Sequence, residues 1–367
     1  MNQRVQQADW FSRPGDSLVA AMSRRGLNPN EVAKHLEGGL DQLRKYVSGS
    51  LSIDDVAATT LSCVVGGSKA FWLARQDNYE RDLQRAIDAV PANEISIWLD
   101  HIPSPMPKPR GRMTASVRQE ELRHRLSFFG VSTLGAWDRR YSGDRSRTLF
   151  RTTGTFESID GAVSLWLRQG ELEACLSDTA RWDIDVLKSK ILEIKSLSRI
   201  AKPARFLPRL KELLSNAGVA LVVKRAPKDC RASGASRFVR PDKAMILLSF
   251  RYRSDDQFWF TVFHEIGHLI LHGSESFVDT DDMPEDNCER QANEFATSMI
   301  VPLDRWPDFE NLRSDHRAVT RFAVSVGVSP GLVLGQLQHR GQVSPDRLAF
   351  LRRRWTWDEI DAAIASL

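Results

Sequence analysis

The chain has 367 residues, 42% hydrophobic and 27% charged, with a formal net charge of +4, the composition expected of a soluble globular protein of two or three domains. Four scattered cysteines, Cys63, Cys175, Cys230 and Cys288, with no C-x-x-C pair, argue against a disulfide framework or a cysteine zinc site and suit a cytoplasmic protein. No apolar run approaches the ~18–20 residues of a membrane span, and the N-terminal stretch "MNQRVQQADW" is not a signal peptide, so no membrane partner is expected.

Residues 1–90 read as short helices with tight turns. They are electrically balanced, with 11 basic against 11 acidic residues, so bulk charge supplies no attraction to nucleic acid. Within them, "EVAKHLEGGLDQLRKYV" has the parts of a helix-turn-helix: a small residue where two helices touch, Ala33, and an apolar anchor on the second helix, Leu43. The expected turn glycine is Glu37, with Gly38 and Gly39 following it. If the second helix enters a DNA groove, Gln42, Arg44 and Lys45 are the side chains that face the bases. The competing use of such a pair is protein contact or dimerisation, which would make a second copy of the chain its partner.

"HIPSPMPKPRGR" (101–112) is proline-rich and reads as a linker. In the middle region, 91–204, "RQEELRHRLSFFG" places Leu122, Leu126 and Phe129 at helical spacing, and "IDGAVSLWLRQGELEACL" reads as a further helix pair. The texture then changes. "LPRLKELLSNAGVALVVKRAP" predicts a helix, a stop at Gly218 and a strand, and "KAMILLSFRY" (243–252) predicts a second apolar strand.

The next segment, "FHEIGHLILH" (263–272), holds three of the chain's eight histidines in an otherwise apolar helix. His264 and His268, four apart, share one helix face and can grip one metal ion. Glu265 beside them can reach a metal-bound water, which is the H-E-x-x-H arrangement of zinc peptidases. His272 lies about 12 Å along the axis from His264, too far for the same ion, and reads as a helix-end or supporting residue. A third ligand is expected from "CERQANEFATSMIVP" (288–302). There Glu289 and Asn293 share a face with Ala292 and Ala296, small residues that permit close approach. Glu289 would ligate while Asn293 orients a ligand histidine. The acidic stretch "ESFVDTDDMPEDN" (275–287) between the two helices reads as a solvated loop.

These stretches, preceded by "ASGASRFVRPDKAMILLSFRYRSDDQFWFTVF", resemble the ImmA/IrrE family of metallopeptidases over about residues 205–305. The shared positions are His264, Glu265, His268, Glu289, Ala292, Asn293, Phe295, Ala296 and Pro302. The resemblance implies a small gluzincin-like domain in which His264, His268 and Glu289 hold Zn2+. The stretch 319–341 is similar to the helical tail of that family, although Ala323, Gly327 and Val333 also fit helix-turn-helix spacing. The N-terminal stretch resembles the HigA/Xre class of helix-turn-helix proteins.

The expected fold is therefore mostly α with a small α+β zincin-like metallopeptidase domain. Its expected parts are a helix-turn-helix domain (1–90), a linker and helical middle region (91–204), the metallopeptidase domain (205–305) and a C-terminal helical subdomain (306–367). The expected function is a regulatory zinc endopeptidase, with Glu265 as general base and "KAMILLSF" as the sheet edge on which an extended substrate pairs. The resemblance implies a repressor or other regulatory protein as substrate and DNA as the partner of the N-terminal module. The competing expectation is a transcriptional regulator or antitoxin of a toxin–antitoxin pair, whose protease-like domain senses metal or a partner without turnover.

Overall fold

The computed structural model describes residues 11–107, 109–141, 157–273, 277–280 and 287–367. It divides into two compact units, Met1–Leu176 with Pro227–Cys230, and Ser177–Ala226 with Arg231–Leu367.

The first unit is helical: α1 (Pro14–Arg25), α2 (Pro29–Ala33), α3 (Gly39–Ser48), α4 (Asp55–Val64), α5 (Lys69–Asp88), α6 (Ile95–His101), α7 (Ala115–Phe129), α8 (Leu134–Tyr141) and α9 (Glu157–Cys175). Polar caps start several of them. Asn28 accepts from the Asn30 amide, Asp54 from Ala57 and Ser68 from Phe71, satisfying amides the helices leave open. Ala33 and Leu43 are both buried in one core with Leu18, Val32 and Leu61. The turn between α2 and α3 takes its positive φ, 55°, at Gly39, two positions beyond Glu37. A second core gathers Leu83, Leu122, Leu126, Phe129 and Trp137. The helix pair expected around 159–176 is instead the single helix α9. Gly161 and Gly170 both lie inside it without a positive φ, so neither ends it.

The second unit contains α10 (Ile184–Leu197), α11 (Pro203–Asn216), β1 (Val219–Val223), β2 (Ala232–Arg240), β3 (Lys243–Leu248), α12 (Asp255–Leu271), β4 (Phe277–Thr280), α13 (Asn287–Ile300), α14 (Trp306–Glu310), α15 (His316–Val326), α16 (Pro330–His339) and α17 (Trp357–Ala365). The strands form one sheet in the order β1-β3-β2-β4. β1 runs parallel to β3, and β2 is antiparallel to both β3 and β4. This corrects the expectation that "KAMILLSF" is an edge. β3 is paired on both sides and all six of its residues are buried, as the continuous apolar run of a central strand requires. The edges are β1 and β4. The stretch 275–287 is not all loop either: Phe277–Thr280 pairs with β2, Asn287 opens α13, and 275–276 and 281–286 lie outside the described residues.

Helix α12 is the axis of this unit. Thirteen of its 17 residues are buried. It packs on β2 and β3 and is flanked by α13 and α16. Its N-terminus is tied to a strap near the C-terminus of the chain. Ser254 bridges Arg354, the Asp255 amide donates to the Arg353 carbonyl (3.0 Å), and the Trp355 amide donates to the Arg253 carbonyl (2.8 Å). The pair α15–α16, the better match to helix-turn-helix spacing, is broken by 111° with Gly327 between its helices. Its second helix buries Leu332, Val333, Leu334 and Leu337 in the same core as α12, so packing consumes that face. Among the described residues no single helix is long and apolar enough to cross a membrane.

Candidate metal centre

His264 and His268 project from the middle of α12 and are 2% and 1% exposed. Their Nε2 atoms lie 2.9 Å apart. Glu289, in the first turn of α13, brings Oε2 to 3.2 Å from His264 Nε2 and Oε1 to 3.4 Å from His268 Nε2. A tetrahedral ion with bonds of ~2.0–2.1 Å separates its ligand atoms by about 3.3 Å, so these three spacings suit one zinc-sized ion.

The chemistry of the donors agrees with the spacing. His264 Nδ1 lies 3.0 Å from Asn293 Oδ1, an acceptor, so the tautomer with the proton on Nδ1 would offer the Nε2 lone pair to a cation. That lone pair faces a carboxylate and a second imidazole, an assembly that calls for a cation. Burial pushes the Glu289 carboxyl up, but hydrogen bonds with His264 and His268 outweigh it and hold the group at about 2. Burial pushes the His268 imidazole down, towards the neutral form in which it can ligate.

Two close approaches make the geometry. A Cβ on Gly267 would lie 3.0 Å from Phe295 Cδ1, so this glycine lets α13 seat against α12, helped by fully buried Ala292 and Ala296. A Cβ on Gly234 of β2 would meet Glu265 Oε1 and Thr261 Cγ2, each at 2.5 Å. The Glu265 carboxylate, 0% exposed, therefore lies directly against the β2 backbone. His272 caps the C-terminus of α12 and touches the centre through His268, with Nδ1 to Nδ1 at 3.1 Å. Its Nε2 lies 2.9 Å from Gln291 Oε1. Sequence reasoning passed over Gly234, Gly267 and Gln291, because nothing local marks a glycine that meets another element or a glutamine on a polar helix face.

The candidate DNA-facing residues lie in the first unit and are engaged there. The Gly38 amide donates to Gln42 Oε1 (2.8 Å), and Gln42 Nε2 donates to the Tyr46 hydroxyl (2.8 Å). Arg44 pairs with Glu173 of α9 at 3.0 Å and Lys45 with Asp41 at 2.7 Å.

No curated protein matches the chain. Residues 219–336, which run from β1 through most of α16 and include every member of the candidate metal centre, are similar to the peptidase family model described as the IrrE N-terminal-like domain.

Proposed function

We propose that the protein is a regulatory zinc endopeptidase. The observation that carries the reading is the convergence of His264, His268 and Glu289, with ligand atoms within 4.8 Å of one another, and the buried Glu265 on the helix that carries the two histidines. A bound zinc ion would supply a water of lowered pKa and a Lewis acid for a peptide carbonyl. Asn293 and His272 hold the two imidazoles in place. Glu265 takes the proton from the attacking water and delivers it to the leaving amine. An extended substrate would add to the outer edge of β4, next to β2 and the glutamate beneath it, because β3 has no free edge.

The substrate would be a repressor or another regulatory protein. Expression of wild type and Glu265→Gln, followed by a proteome-wide survey of new protein N-termini, tests this. Wild type should carry about one zinc per chain and generate a cleavage product that Glu265→Gln, still zinc-loaded, does not. Identical N-termini in both strains would remove the endopeptidase reading and leave the metal-sensing regulator.

The reading includes a DNA-targeting module on α2 and α3, supported by the burial of Ala33 and Leu43 in one core. Arg44 must leave Glu173 to reach a base. The pair is 41% and 31% exposed, and such surface pairs are worth about 0–1 kcal/mol, so it opens easily. Glu173→Ala should then strengthen binding to the protein's own promoter and Arg44→Ala with Lys45→Ala should weaken it. No change in either would assign the helices to protein contacts.

A further inference from the structure

Along the 258–269 stretch of α12 every residue is buried except Phe260. Phe260 stands four residues before His264, which stands four before His268, so the three side chains lie in one row on one helix face. The Phe260 ring lies alongside the His264 imidazole, with centroids 6.3 Å apart and planes 29° from parallel. Three residues beyond His268 the row continues to Leu271, which is 48% exposed. The two histidines are thus bracketed on α12 by an aromatic side chain and an aliphatic one, both of which reach the surface. The imidazoles themselves do not, with side chains 3% and 0% exposed, whereas Glu289 is 20% exposed.

We propose that Phe260 is a specificity-determining residue of the peptidase: it forms the apolar wall on which a substrate side chain next to the cleaved bond packs. The protein then selects large apolar residues there over small or charged ones. This rests on the metallopeptidase reading of the site and names the class of sequence it would cut.

The spacing supports the assignment. In an extended peptide, side chains two residues apart stand about 6.8 Å from each other, close to the ~6 Å between Phe260 and His264 along the helix. A substrate whose scissile carbonyl lies at the centre therefore brings a neighbouring side chain to the Phe260 ring. Packing against the core of the second unit accounts for the buried part of that ring. A single exposed aromatic is ordinary on a protein surface. What distinguishes this one is its place in the row of candidate ligands, where burial is otherwise complete.

The test is binding, not turnover. The zinc-loaded full chain is titrated calorimetrically, as wild type, Phe260→Ala, Phe260→Gln and Phe260→Leu, with three phosphinic pseudopeptides. Their phosphinate replaces the cleaved amide, and the side chains on either side of it are both leucine, both alanine or both aspartate. Wild type should bind the leucine form on the order of tenfold more tightly than the alanine form, with the aspartate form weakest. Phe260→Ala and Phe260→Gln should bring the leucine and alanine forms to within about twofold, and Phe260→Leu should keep most of the preference. Should the alanine variant fold poorly, the glutamine variant, which fills more of the space without an apolar surface, decides. If Phe260 only shields His264, its loss would weaken all three ligands alike and leave their ratio unchanged, which would overturn the proposal. A wild type that takes zinc but binds the three forms equally, or none of them, would overturn it too. A wild type that takes no zinc would instead overturn the metallopeptidase reading on which the proposal rests.

Discussion

Replacing Asp255 by asparagine is expected to stabilise the protein at neutral pH, although it removes a negative charge from a helix N-terminus. Asp255 opens α12 and is 0% exposed. Its Oδ1 accepts from the Arg353 amide (2.9 Å) and the Asp256 amide (3.1 Å). A Cβ on Gly331 would meet the same oxygen at 2.4 Å, so α16 is seated hard against it. Burial raises this carboxyl, Asp256 adds to the rise, and the Ser329 hydroxyl and the Arg353 amide only partly offset it, leaving it at about 6 against an ordinary 3.8. The folded pKa is above the unfolded one, so the protonated form is favoured in the folded state. That contribution is fully present below about pH 4 and is lost as pH rises through 6. Above pH 7 the folded chain bears a cost of about 3 kcal/mol, against about 0.5 kcal/mol at pH 4. Asparagine retains the accepting oxygen and never ionises. With a urea slope of about 2 kcal/mol per molar, the midpoint of Asp255→Asn should exceed that of wild type by about 1 M at pH 7.5 and by almost nothing at pH 4. A variant with a lower midpoint at pH 7.5 would refute the reasoning. It would mean that the attraction of the ionised carboxylate to the helix N-terminus outweighs the cost of burying it.

Three further predictions follow the same contacts. In the metal-free protein the Glu289 carboxyl is held at about 2 against 4.5, so its stabilisation is present above about pH 4.5 and lost as pH falls towards 2. Glu289→Gln should therefore cost about 2 kcal/mol at pH 7 and nothing at pH 2 in thermal scans, and an equal cost at both pH values would contradict this. Gly267→Val should force Phe295 outwards, destabilise the protein by about 1–3 kcal/mol and weaken zinc binding by displacing Glu289. Wild-type zinc affinity in a folded Gly267→Val chain would show that α13 is not held by that approach. Ending the chain at Gly341 removes the strap that pairs Arg352 with Asp256 and donates the Arg353 amide to Asp255, taking one partner from each of two buried carboxylates. The melting temperature of the truncated chain should fall and its zinc content with it, as judged by calorimetry and elemental analysis.

The convergence of His264, His268 and Glu289 was legible where its information is local. His264 and His268 are one helical turn apart, and Glu289 shares a face with Ala292 and Ala296, so period alone indicates a helix that ligates and can be approached closely. Strand β3 was legible as a strand from its apolar run, but its place between β1 and β2 was not. Order in a sheet depends on pairing with "ASGASRFVR", which has no strong alternation, and with β4, which sits in an acidic stretch that reads as loop. Gln291 shows the limit most sharply. It stands two residues from Glu289, about 200° around α13, so the helical wheel that puts Glu289 on the metal face puts Gln291 off it. The two meet the same pair of imidazoles because His272, at the C-cap of α12, lies within reach of both His268 and Gln291. The residue types of a candidate metal site are thus readable from spacing, whereas the side chains that brace them from another helix, as Gln291 does His272, are not.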